Sequence, residues 1–137
     1  MVTIYQLRND KEHIAKVQRA TLNTEKFGVQ QTHGLFGSPE WWSKIDSGEL
    51  PIHRLRGTIT KVYMGSMNDW PEFAMRADTG EDSSWSRYAD SKELAESYTV
   101  GHRIELDYVI QHFKPKSWSG DSENKVVIKI RVGSTAP

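Results

Sequence analysis

Cysteine is absent from the 137 residues. That removes disulfides, thiol nucleophiles and thiolate metal sites together, and it fits a reducing cytoplasm. No apolar run approaches the roughly 20 residues a membrane helix needs. The first residues, MVTIYQLRND, lack a basic start followed by a long apolar stretch, so no secretory signal is expected. Neither sign of charge is in excess: 18 basic residues face 18 acidic ones. The balance holds locally, with six of each sign in residues 1–52 and twelve of each in 53–133. Avid non-specific binding to nucleic acid usually accompanies a strongly basic domain. Any such activity here must rest on a local patch.

Catalytic signatures are also missing. The chain has no G-x-S-x-G, no Walker loop and no G-x-G-x-x-G. Gly34-Leu35-Phe36-Gly37 is a GxxG, but Ser-Pro rather than basic residues follow it. The histidines (His13, His33, His53, His102, His112) show no H-x-x-x-H or H-E-x-x-H spacing. His102 and His112 begin and nearly end one expected strand, which separates them by roughly 33 Å at about 3.3 Å per residue. Asp78, Glu81 and Asp82 lack the EF-hand pattern and read as a solvated hairpin tip. The expectation is a non-enzymatic protein with no metal and no cofactor.

What is present is a change of period. Residues 1–51 read as a mainly helical extension. Val2, Ile4 and Leu7 suit a short edge strand. Ile14, Val17 and Thr21 or Leu22 recur at helical spacing after Asn9 and Glu12, which form a capping-box variant, so a helix is expected at about 10–22. Ser38-Pro39 starts a second helix as N-cap and first helical residue, with Trp42 and Ile45 on one face and Gly48 as its end.

From Pro51 the apolar period is two. Leu55, Gly57 and Ile59 lie on one face, but Val62 and Met64 fall on the opposite parity, which requires a bulge or strong bend. Phe73, Met75 and Ala77 alternate in a second strand. Asp78-Thr79-Gly80 turns the chain into a third strand at about 83–89. Asp90 and Glu93 cap a short helix carrying Leu94 and Tyr98 that stops at Gly101. A fourth strand sets Ile104, Leu106, Tyr108 and Ile110 against Arg103, Glu105 and Asp107, which look like a charge ladder. After a polar loop, Val126, Ile128, Ile130 and Val132 face inward in the last strand.

This order over residues 52–133 resembles the OB (oligonucleotide/oligosaccharide-binding) fold. The resemblance implies a mainly β, α+β protein: a five-stranded OB-like β-barrel with a helix between its third and fourth strands, preceded by the helical extension 1–51 and followed by a tail, 134–137. It also implies a ligand crossing strands two and three, flanked by the loops Gly65–Pro71 and Lys114–Asn124. Trp70, Trp85 and Trp118 would stack on bases, and Arg76, Arg87, Lys114 and Lys116 would meet phosphate. Weak binding of single-stranded nucleic acid is one expectation. The alternative is protein–protein interaction or assembly, with Trp41 and Trp42 as partner anchors. Against both stands packing: tryptophan is highly buried on average, so these rings also suit the core.

Overall fold

The computed structural model describes residues 1–23, 28–65, 68, 70–112 and 123–135. Six strands and three α-helices occur among the described residues. They are β1 (Val2–Gln6), α1 (Lys11–Asn23), α2 (Pro39–Ser47), β2 (His53–Met64), β3 (Pro71–Ala77), β4 (Asp82–Ser86), α3 (Lys92–Ala95), β5 (His102–His112) and β6 (Glu123–Thr135). The strands form one sheet in the order β1-β6-β5-β2-β3-β4. The expected elements thus occur in the expected order, but the five-stranded closed barrel does not. The sheet has six strands and is open, with β1 and β4 at its two ends.

The reason lies at β1. The amide of Asp90 donates to the Ile4 carbonyl (2.8 Å). The Gln6 amide in turn donates to the Asp90 carboxylate (3.3 Å). Asp90 therefore takes polar groups that a further strand would need. The opposite flank of β1 pairs antiparallel with β6.

The chain divides into two compact units. Met1–Gln6, Arg54–Asp107 and Lys129–Pro137 form the first; Leu7–His53 and Tyr108–Ile128 form the second.

In the first unit the face change of β2 is resolved as anticipated. Ile59 pairs with Met75 and Lys61 with Ala74, so Thr60 is an extra residue in the ladder. The bulge restores Val62 to a position opposite Phe73, the same face as Ile59 opposite Met75. Ile59, Phe73 and Met75 are fully buried there. Gly57 is required by close approach, because a Cβ on it would lie 2.1 Å from the Arg76 carbonyl oxygen. The short helix is capped by Ser91, whose hydroxyl accepts from the Leu94 amide, not by Asp90, which is committed to β1. Tyr98 leaves that turn to pack on Phe73 (ring centres 5.0 Å). Its hydroxyl donates to the Tyr88 carbonyl at 2.5 Å, and burial pushes that hydroxyl well above the usual tyrosine range.

In the second unit, α1 is capped by Asp10, whose carboxylate accepts from the His13 amide (3.1 Å); Asn9 belongs instead to a preceding 3-10 turn, Leu7–Asn9. For α2, Ser38, Pro39 and Gly48 act as expected, with Gly48 in the left-handed region at φ 85°. The buried face of α2 is Trp41 and Ile45 rather than Trp42 and Ile45. Trp41 has no solvent exposure. It packs on Phe36 (4.8 Å) and its indole nitrogen donates to Gln111 Oε1 (2.9 Å). Gln111 Nε2 donates onward to the Gln30 carbonyl (2.7 Å), so a buried amide is satisfied on both sides.

Trp41→Ala is expected to cost about 3–5 kcal/mol of stability, as large aromatic truncations in cores do. Urea denaturation followed by circular dichroism checks this. A loss below about 1 kcal/mol would contradict the packing described.

Candidate functional site

Strand β5 carries the strongest departure from the expected pattern. Ile104 and Leu106 are buried as anticipated, but so are Glu105 and Asp107 on the opposite face. Past Tyr108 the buried residues are Val109 and Gln111 rather than Tyr108 and Ile110. Two carboxylates out of water demand partners, and these come from the strands on either side. Arg54 of β2 donates Nε and Nη2 to Asp107 (2.8 and 3.3 Å). Arg56 of β2 donates Nε to Glu105 (2.7 Å). Arg131 of β6 donates to both, 2.6 Å to Glu105 and 3.0 Å to Asp107. The ladder expected along one strand, Arg103 with Glu105 and Asp107, is thus replaced by one that runs across three strands and pairs the two acids with Arg54, Arg56 and Arg131.

Two more pairs extend it. Arg103 of β5 forks onto Asp78 (2.7 and 2.8 Å) and reaches Thr58 Oγ1 (3.2 Å). Arg76 of β3 forks onto Asp82 of β4 (3.0 and 3.2 Å). Thr58 lies opposite Arg76 in the ladder, so both belong to one face.

These bonds set the titration of the acids. Burial pushes the Asp107 carboxyl up, but the hydrogen bonds and charges of Arg54 and Arg131 outweigh it and hold the group below the usual carboxylate range. The hydrogen bond from Arg103 lowers Asp78, and that from Arg76 lowers Asp82.

The residues anticipated as a ligand site are dispersed in role. Trp70 is 51% exposed, and its indole nitrogen donates to Ser86 Oγ (2.9 Å). Trp85 is half-buried and donates to Ser83 Oγ (2.9 Å). Arg76 is neutralised by Asp82. Arg87 is half-buried and donates to the Tyr63 carbonyl (3.1 Å). Its Nε is buried with no hydrogen-bond partner among the described residues. Lys114, Lys116 and Trp118 lie outside the described residues. Of the two anticipated partner anchors, Trp41 is sealed in the core. Trp42 is half-buried, with the Arg8 guanidinium 4.2 Å from its ring centre and Arg8 itself paired with Asp46 (2.9 Å). Among the described residues, no group of three or more histidines or acids could hold a metal. No helix among them is long and apolar enough to cross a membrane.

Arg54, Arg56 and Arg131 are the residues that sequence reasoning missed. A signal was available: Arg54-x-Arg56 shows the same two-residue spacing as Glu105-x-Asp107, with Leu55 and Gly57 filling the other parity. Nothing in the sequence says that β2 and β5 are neighbours.

The sequence model of a family described as Immunity protein RhsI2 matches residues 1–133. The chain belongs to that family. No curated protein matches it. Membership overturns the expectation of single-stranded nucleic-acid binding. A protein partner, held above as the alternative, is what the family implies. The neutralised Arg76 and Asp82 agree with this correction, since a paired guanidinium has less to offer a phosphate.

Asp107→Asn should leave the shape and remove the charge. A loss of about 1–3 kcal/mol at pH 7 is expected, because Arg54 and Arg131 are left under-bonded. Asp107 has a depressed folded-state pKa, so its contribution is present above the unfolded value of about 4 and is lost as pH falls through the lower folded value. The gap between wild type and variant should hold from pH 7 to about pH 5 and close below about pH 4. Urea midpoints across that range check it; a gap that widens in acid would contradict the assignment.

Proposed function

We propose that this protein confers immunity by binding its cognate toxin and blocking it through occupancy, without chemistry of its own. The single observation that carries this is the family match across nearly the whole chain. The sheet supports it by offering a face of fixed, hydrogen-bonded side chains. A surface of that kind suits another protein: such interfaces bury about 800 Å² per partner and need many pre-positioned groups rather than one reactive one. A cytoplasmic place of action, which a cysteine-free chain suits, is part of the same proposal.

Blocking by occupancy has a stoichiometric signature. Titrating purified protein into a fixed amount of toxin should lower toxin activity in proportion, with a break at equivalence. The two proteins should co-elute from a sizing column. Complete inactivation at a small fraction of equivalence would indicate turnover and overturn the non-enzymatic reading. Failure to co-elute, together with no protection of cells expressing the toxin, would overturn toxin binding itself.

A further inference from the structure

We propose that the arginine ladder on β2, β5 and β6 is the contact surface for the toxin, and that Arg54 and Arg56 receive carboxylates of an acidic segment on it. This rests on the toxin-binding reading above.

The geometry of exposure points that way. The acids of the ladder are the hidden members: the Glu105 and Asp107 side chains are 12% and 6% exposed. Arg131 is 19% exposed. Arg54 and Arg56 are 46% and 58% exposed. At these five residues a partner therefore meets guanidinium groups first, while the exposed carboxylates of the face, Asp78 and Asp82 (55% and 62%), lie outside the cluster. Three cations share two anions, so the cluster keeps one positive charge that its own acids do not cancel. The outlying Arg103–Asp78 and Arg76–Asp82 pairs are balanced, which makes them a polar margin rather than a source of charge.

Donor capacity is left over as well. Arg56 spends only Nε on Glu105, and Arg54 spends Nε and Nη2 on Asp107. Their remaining Nη groups have no bond among the described residues. A guanidinium presents its donors in a rigid fork that matches a carboxylate. Here the side chains are already held by the acids beneath them, so docking freezes less rotamer freedom. Arginine is also among the residues that dominate binding energies at interfaces.

The competing explanation is that the ladder only stabilises the sheet. Affinity separates the two: removing an arginine from these buried acids is expected to lower the melting temperature on either explanation, so each Kd is measured well below it, and only a contact role lowers affinity. The toxin's Kd should be measured for wild type, Arg56→Ala, Arg54→Ala and Arg56→Lys, with Lys16→Ala on α1 as a control. The arginine-to-alanine variants should weaken binding about 10-fold or more. Arg56→Lys should fall in between, since it keeps charge and loses the fork. Lys16→Ala should match wild type in both affinity and melting temperature. Wild-type affinity should fall with added salt, and less steeply in Arg56→Ala.

Labelling the wild-type protein with an arginine-specific dicarbonyl needs no variant: bound toxin should protect Arg54 and Arg56. Wild-type binding with alanine variants within about 2-fold of it, or equal labelling with and without toxin, would overturn this surface and leave toxin binding intact. No binding by the wild type would instead overturn the toxin-binding reading, and this proposal with it.

Discussion

Two carboxylates in an inner strand of a sheet constrain the structure around them. Glu105 and Asp107 are nearly excluded from water, and a buried charge without partners costs several kcal/mol. Arg54, Arg56 and Arg131 remove that penalty only if β2 and β6 lie beside β5 in one register. A slip of one residue would carry each arginine to the opposite face and strand both acids. This matters because apolar alternation gives weak guidance here. Residues 104–107 of β5 are buried on both faces, so hydrophobicity does not distinguish one from the other. Charge pairing does.

The first unit then follows from what that register imposes. Once Gly57 sits against the Arg76 carbonyl, β3 is fixed beside β2, and the extra residue Thr60 lets both Ile59 and Val62 meet its apolar face. The second unit relies on a different device. Trp41 fills its core and passes its one polar atom to Gln111, which hands its own donor to a backbone carbonyl. Both units bury polar groups, and both do so in fully bonded sets.

Much of the secondary structure was legible, because strands and caps are local. The parity break in β2, the Ser38-Pro39 start and the Gly48 stop each depend on residues close in the chain. The misses were also local, but they were choices between neighbours. Asn9 and Asp10, Asp90 and Ser91, and Trp41 and Trp42 are adjacent residues equally fit for one role, and only packing selects among them. Barrel closure was misjudged for a non-local reason: Asp90 binds β1 from more than 80 positions away. The arginine ladder joins residues up to 53 positions apart, so no window along the sequence contains it. Function was harder still. A protein-binding surface leaves no spaced motif, unlike a metal or phosphate site, and two of the rings that suggested base stacking, Trp70 and Trp85, donate their indole nitrogens to serines.

The seal that Asp90 places on β1 has a bearing on how copies of this chain behave when crowded. A bare strand edge is a template for polymerisation. With one end of the sheet occupied by a loop residue, strand-to-strand growth has to begin at the other, β4. That end offers five residues, DSSWS, short and mostly serine, with an aspartate already tied to Arg76. Such a sequence is a poor seed for fibrils, so the edge that Asp90 leaves bare carries little drive to grow.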